Sequence, residues 1–251
     1  MYVIAALIAL GALVGCAGPG SSPSRSDSSS LLGTYTGILP CADCGGIRTD
    51  LRLYADQPSG QATRYEARET YIGTRDGDRT VDKAGRVKVV RGSASDKEAM
   101  VYQLETDRSD TLRNFVRASD NELRLLDREQ KELVSSAPRS LYRATLLVES
   151  DSGRAIEVSP GERVVVRLGS NRTTGYRWSL LTSGSNALTS LAAAEYTQEA
   201  ATDGKAGSGG TESWYFQASR SGQQELRFEY RRSWELNVPA AKSTNYSVRV
   251  R

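Results

Sequence analysis

The sequence contains no histidine among its 251 residues. That removes Ser-His-Asp and Cys-His catalytic arrangements from the chain's own resources. Cysteine is scarce as well, with three in all, at positions 16, 41 and 44. A structural zinc site would want four ligands. Charge of one sign is also lacking. The formal net charge is +3 and the basic residues are scattered rather than grouped in a stripe, which argues against a nucleic-acid surface. No phosphate-binding loop is present, because Gly207–Gly210 lacks a strand-loop-helix context with a lysine. Carboxylates are plentiful, but nothing in their spacing sets a pair in one cleft. The chain reads as a protein that is not an enzyme and needs no cofactor. Helical spacing is nowhere sustained, and short alternating runs dominate, so the expected fold class is all-β.

Residues Tyr2 to Val14 are almost continuously apolar. The run is too short to span a bilayer and reads as a signal peptide, although no positive residues precede it. Leu13-Val14-Gly15-Cys16 has the form of a bacterial lipobox, which implies cleavage before Cys16 and lipidation on it. Acyl chains there would anchor the protein to a membrane. Ala17, rather than aspartate, follows the cysteine, which fits an outer-membrane lipoprotein of the bacterial envelope. Residues 17–30 are rich in serine, proline and glycine and read as a flexible tether.

Residues 31–143 alternate apolar and polar positions. Ile47, Thr49, Leu51 and Leu53 share one face, and Met100, Tyr102 and Leu104 share another. Gln57-Pro58-Ser59-Gly60, Asp76-Gly77-Asp78 and Ala84-Gly85 read as turns. This predicts a small antiparallel meander or β-barrel. Its informative motif is Leu39-Pro40-Cys41-Ala42-Asp43-Cys44-Gly45-Gly46-Ile47. With Gly33-Thr34-Tyr35-Thr36-Gly37 before it and Thr49-Asp50-Leu51-Arg52-Leu53 after it, the motif resembles the N-terminal domain of NlpE-type envelope lipoproteins. The resemblance implies a small β-barrel linked to copper handling and envelope-stress signalling. Chemically, Cys41 and Cys44 have three options. They can close a disulfide in an oxidising compartment, hold a soft metal such as Cu(I), or act as a redox pair. We rank them in that order.

Residues 144–251 carry further strand patterns. Val164, Val166 and Leu168 share a face, as do Leu226, Phe228 and Tyr230, and again Tyr246, Val248 and Val250. The expected architecture is a β-sandwich. Ala187–Thr197 has room for a helical turn, and Gln198–Gly210 reads as a long polar loop. Three stretches stand out. Asn171-Arg172-Thr173-Thr174-Gly175-Tyr176-Arg177-Trp178 is a polar turn running into a strand. Gly207-Ser208-Gly209-Gly210-Thr211-Glu212-Ser213-Trp214 follows it, and Tyr230-Arg231-Arg232-Ser233-Trp234 comes last. Together, in this order, they resemble the three loops of the chagasin family, immunoglobulin-like inhibitors of papain-type cysteine proteases.

The resemblance implies that the three loops lie side by side at one end of the sandwich and wedge reversibly into a protease cleft. Thr173, Thr174 and Gly175 would form the central tip, with Asn171 and Tyr176 at its ends. Gly207, Gly209 and Gly210 would let a second loop approach closely. Trp234 would stack across the cleft with Arg232 beside it. Trp178 reads as core, Trp214 as either core or contact, and Trp234 as contact. Two positions depart from the family pattern. Arg172 and Ser233 stand where prolines are usual, which predicts looser placement of the first and third loops. The partner implied is a papain-family cysteine protease, and the membrane is reached through Cys16. The alternative is an envelope sensor or copper-handling lipoprotein acting through Cys41 and Cys44. A third reading is a structural surface lipoprotein.

Overall fold

The computed structural model describes residues 29–56, 60–105, 113–134, 136–198, 209–235 and 237–251. Two β units follow one another along the chain. The first is a meander of eight strands: β1 (Ser29–Leu39), β2 (Gly46–Asp56), β3 (Ala62–Thr74), β4 (Gly77–Arg91), β5 (Met100–Glu105), β6 (Arg113–Ser119), β7 (Glu122–Leu126) and β8 (Ser140–Val148). Each pairs antiparallel with the next. The sheet then closes on itself, because Tyr35 and Thr36 of β1 pair with Arg143 and Tyr142 of β8. Closure leaves no free edge, which makes the unit the small barrel that the alternation predicted. Ile47, Thr49, Leu51 and Leu53 are all buried, as their shared face requires. Leu104 joins them while Met100 stays exposed.

One expected turn is absent. Ala84-Gly85 lies in the middle of β4, paired with Glu66 and Tyr65 of β3. A Cβ on Gly85 would lie 2.1 Å from the Glu105 carbonyl oxygen and 2.8 Å from the Tyr65 ring. The glycine is therefore there for close approach between strands, not for chain reversal. By contrast, Gly77 follows the real turn between β3 and β4, at φ 91°. β1 begins at Ser29, two residues inside the stretch read as tether.

The second unit is a sandwich. Its strands are β9 (Ala155–Val158), β10 (Arg163–Ser170), β11 (Tyr176–Gly184), β12 (Leu188–Ser190), β13 (Glu195–Gln198), β14 (Gly210–Ala218), β15 (Gly222–Arg232) and β16 (Lys242–Val250). One sheet runs β11-β15-β16-β9. The other runs β8-β10-β14, with β12 and β13 both pairing to β14. The stretch Ala187–Thr197 thus forms two short strands in place of the helical turn its sequence allowed. The core gathers Val164, Val166 and Leu168 of β10 against Leu226, Phe228 and Tyr246 of the facing sheet, all fully buried. Each such side chain contributes about 2 kcal/mol by leaving water. Trp214 and Trp178 complete it; Trp214 meets Phe228 edge-on at 4.8 Å between ring centroids.

The two units share a strand. Residues 140–143 of β8 complete the barrel, and Ala144–Val148 run parallel to Arg163–Arg167 of β10 in the sandwich. This explains the unbroken Val164-Val165-Val166 run. Val164 and Val166 face the sandwich core, while Val165, only 1% exposed, faces the barrel. A strand covered on both faces reads as continuously apolar. Polar ties reinforce the junction. Arg167 pairs with Asp50 of β2, which also accepts the Thr36 hydroxyl at 2.8 Å. Arg48 of β2 pairs with Glu195 of β13.

Candidate functional site

The strand registers place three connections at one end of the sandwich. Ser170 at the end of β10 pairs with Gly210 at the start of β14, which also pairs with Gln198 at the end of β13. On the other sheet, Tyr176 at the start of β11 pairs with Arg232 at the end of β15, and Tyr230 pairs with Lys242 where β16 begins. The loops after β10, before β14 and after β15 therefore emerge together.

The first loop is a 3₁₀ turn over Arg172–Thr174. Asn171 caps it, its side chain accepting from the Thr173 backbone N–H at 3.2 Å and the Thr173 hydroxyl at 2.6 Å. The Thr174 hydroxyl donates to the Asn171 carbonyl at 2.6 Å. Gly175 closes the turn in the left-handed region at φ 79°, a conformation that other residues rarely adopt. A Cβ there would lie 2.3 Å from Cη2 of Trp234. The indole of the third loop thus lies directly on the bare Gly175 backbone. Trp234 is nevertheless 65% exposed, which is unusual for so large an apolar group.

Arg232 bridges the same two loops. Its Nε donates to the Thr174 carbonyl at 3.0 Å, and its guanidinium lies over the Tyr176 ring, 4.5 Å from the centroid. Nη1 of Arg232 also pairs with Glu235 at 3.0 Å, and this hydrogen bond is the main reason its pKa is raised. Tyr176 in turn stacks on Tyr230 at 5.2 Å, and Trp178 contacts Tyr230 at 5.0 Å. Tyr176 and Trp178 share a face, as their spacing predicted. Trp178 is core: it is 6% exposed, and its indole N–H donates to the Gly169 carbonyl at 2.9 Å. Trp214 is core too.

The structure therefore brings Asn171, Thr173, Thr174, Gly175, Tyr176, Arg232 and Trp234 to one edge. The second loop contributes differently. Gly210 is buried, and a Cβ on it would lie 2.5 Å from the Thr197 carbonyl oxygen and from the Tyr196 ring. Its bareness lets β13 lie against β14. Gly209 is half-buried, with the Ser170 carbonyl nearby. Gly207 and Cys16 lie outside the described residues.

Four supporting residues were missed in the sequence. The Tyr230 hydroxyl accepts from the Asn171 backbone N–H at 2.8 Å, fixing where the first loop starts. Its apolar stripe identified it only as core. Arg172 corrects the expectation of a loose first loop. Its guanidinium lies over Tyr196 of β13, 4.3 Å from the ring centroid, and its Nε is 3.8 Å from the Glu212 carboxylate. Glu212 is 2% exposed and accepts the Ser170 hydroxyl at 2.6 Å. A cation held by a ring and a carboxylate does by side-chain contact what proline does by ring closure. Nothing in the spacing of Arg172, Tyr196 and Glu212 signals that they meet.

At the barrel, Cys41 and Cys44 form a disulfide, with Gly45 N–H donating to the Ile72 carbonyl at 2.8 Å. The Asp43 carboxylate is close to both sulfurs. A bonded sulfur pair offers no thiolate, so these residues as they stand do not fit a copper site.

Comparison with solved structures finds several that are similar over part of this chain. The cysteine protease inhibitor EhICP2 from Entamoeba histolytica is 20% identical, with a TM-score of 0.40, over 43% of this chain and 96% of its own. Amebosin is 27% identical, with a TM-score of 0.34, over 42% of this chain and 96% of its own. PbICP-C, solved in complex with falcipain-2, is 16% identical, with a TM-score of 0.28, over 43% of this chain and 88% of its own. Comparison with curated proteins finds no match. Two family models match separate parts of the chain: residues 35–136 match the NlpE N-terminal domain, and residues 157–250 match the chagasin family of peptidase inhibitors, I42.

Proposed function

We propose that the loop end of the sandwich is a reversible inhibitor of papain-type cysteine proteases, and that the chain reaches its place of action on a lipid anchor at Cys16 in the bacterial outer membrane. The observation that carries the reading is the exposed Trp234 seated on Gly175. It joins two loops, far apart in sequence, into one continuous edge within the segment that matches the chagasin family. A large exposed indole flanked by an arginine is the composition of an interface anchor.

The edge also has the geometry of an inhibitor rather than a substrate. A protease cleaves a segment that it can draw out into an extended strand. Here Thr174 N–H donates to the Asn171 carbonyl at 3.2 Å and Gly175 N–H to the Arg172 carbonyl at 3.1 Å, which curls the tip. Arg232 occupies the Thr174 carbonyl. The tip is then a blunt plug of threonine and glycine, thin enough for a narrow cleft, with its ordering cost met by the sandwich before binding. No group of the chain takes part in bond making or breaking.

The test is titration of papain with the full chain. Competitive, reversible inhibition near the nanomolar range is expected, about −12 kcal/mol. Trp234→Ala should weaken it by about thirtyfold or more, since a central aromatic anchor is worth roughly 2 kcal/mol or more, and Thr174→Glu should weaken it at least as much by placing a bulky charge at the tip. A folded chain that leaves papain untouched at micromolar concentration overturns the reading. A second reading, of a sensor module in the barrel, is favoured by one observation: the Cys41–Cys44 disulfide is only half-buried, so a reductant can reach it. If Cys41→Ser with Cys44→Ser leaves inhibition unchanged and abolishes an envelope-stress response, the two units act separately.

A further inference from the structure

A cavity of about 680 Å³ lies where the barrel meets the sandwich, and none of the loop residues described above lines it. Its wall includes four arginines, at 48, 124, 139 and 163, and two glutamates, at 122 and 195. Both glutamates are already paired, Glu195 with Arg48 and Glu122 with Arg124 at 3.2 Å. Arg163 differs from these. Its guanidinium lies over the Tyr142 ring at 4.1 Å and donates to the Thr36 carbonyl at 3.3 Å. Among the described residues no carboxylate is within ion-pair distance of it. Burial pushes its pKa down, with only the weak opposing influence of Tyr142 and Tyr215. A half-buried cation without a counter-charge carries part of the desolvation cost, and an anion entering the cavity would relieve it.

Two further features define what would fit. The Tyr215 ring, 6.0 Å from the Arg48 guanidinium, forms part of the same wall, with its hydroxyl buried away from solvent. Burial raises its pKa, which keeps the proton on. The same cavity is also lined by hydrocarbon: Ile38 and Leu191, 37% and 40% exposed, and Pro138. The cavity therefore offers an unpaired cation and exposed hydrocarbon within one wall.

We propose that this junction cavity binds a small amphipathic anion, a carboxylate or phosphate monoester with a short aliphatic chain, its head on Arg163 and its chain along Ile38 and Leu191. The residues come from both β units, so an occupant would bridge barrel and sandwich. This proposal stands apart from protease inhibition and uses none of its residues.

Calorimetric titration of the full chain with octanoate, octyl phosphate, octanol and inorganic phosphate tests it. One of the two charged amphiphiles should bind at least about tenfold more tightly than octanol and than inorganic phosphate, because a charge-assisted contact and a buried chain each contribute that much. Which of the two binds better distinguishes carboxylate from phosphate. Arg163→Met keeps the volume and removes the charge, and should weaken binding by about tenfold with the circular-dichroism spectrum unchanged. Arg163→Lys should retain binding within a few-fold, which guards against a variant that merely misfolds. The apolar run Tyr2–Val14 also attracts aliphatic chains, but that attraction does not depend on Arg163. Binding of both octanoate and octyl phosphate no tighter than that of octanol, or binding unchanged in Arg163→Met, overturns the proposal.

Discussion

Two exposed turns, one on each β unit, are built in opposite ways. The cysteine turn of the barrel is held mainly by what is near in sequence, a disulfide spanning a separation of 3 and flanking strands that pair with each other, with one longer tie from Gly45 to Ile72. The first loop of the sandwich carries its own Asn171 cap but is seated by what is far away. Tyr230 is 59 residues from Asn171, and Arg232 is 58 residues from Thr174. Arg172 reaches Tyr196 on a different strand. A turn closed locally keeps its shape while the rest of its unit loosens. A loop supported at a distance is only as well placed as the whole sandwich. That difference suits a recognition edge, because the entropy of ordering it is lost on folding rather than on binding.

The largest change should come from the barrel interior. Glu69 is 2% exposed and pairs with Lys83 at 2.7 Å and with Arg113. Glu69→Ala leaves two cations facing each other without their carboxylate. We expect roughly 3 kcal/mol of destabilisation, the low end for a broken buried pair, because both cations remain partly in water. Urea denaturation measures it. Papain inhibition under native conditions should stay unchanged if the loops depend on the sandwich alone; weaker inhibition would show that the shared strand β8 carries strain from one unit to the other.

Next comes the local turn itself. Cys41→Ser with Cys44→Ser, or reduction, should cost at most about 2 kcal/mol for so short a closed loop. The same denaturation experiment reads it. The effect should be confined to the barrel, and the potency of inhibition should not move.

How much of this contrast was legible in the sequence follows from the same distinction. Period-2 alternation is a local signal, and it identified the buried face of β2 and the inward stripes of β10, β15 and β16. Local chemistry also marked the cysteine turn and assigned Trp178 to the core, while the three loop stretches stood out through their resemblance to the chagasin family. Failures occurred where a distant partner decides. Ala84-Gly85 looked like a turn, but the reason for Gly85 is Glu105 on the neighbouring strand. Gly210 read as the end of a long polar loop whose glycines let it approach a partner, and its bareness is required by Tyr196. Ala187–Thr197 carried no strong alternation and took strand form only because β14 offered an edge on which to pair. β8 gave no sign that its two halves belong to different sheets.

The non-local support can be removed one atom at a time. Tyr230→Phe deletes the hydroxyl that accepts the Asn171 N–H while leaving the rings stacked. An unmatched donor there costs about 1 kcal/mol. Because the loss falls where the loop begins, inhibition should weaken more than the stability change alone suggests, by about tenfold. Equal loss in barrel and sandwich stability would be unexpected, and unchanged potency would mean that Asn171 is held well enough by its own cap.

The smallest effect is the most discriminating. Arg172→Ala removes the contact with Tyr196 and the longer one with Glu212. The lost cation–π contact is worth about 0.5–1 kcal/mol, so global stability should barely change. If Arg172 positions the tip, inhibition should weaken a few-fold, mainly through faster dissociation. Arg172→Pro should restore it, since proline constrains the start of the turn through the backbone and does not need Tyr196. Rescue by proline separates a positioning role from a direct contact with the protease, because proline cannot replace a guanidinium at an interface. Tyr196→Ala should then mimic Arg172→Ala in the natural chain and have little effect in the proline variant. A double-mutant cycle measured in this way converts the contrast between local and distant support into a coupling free energy.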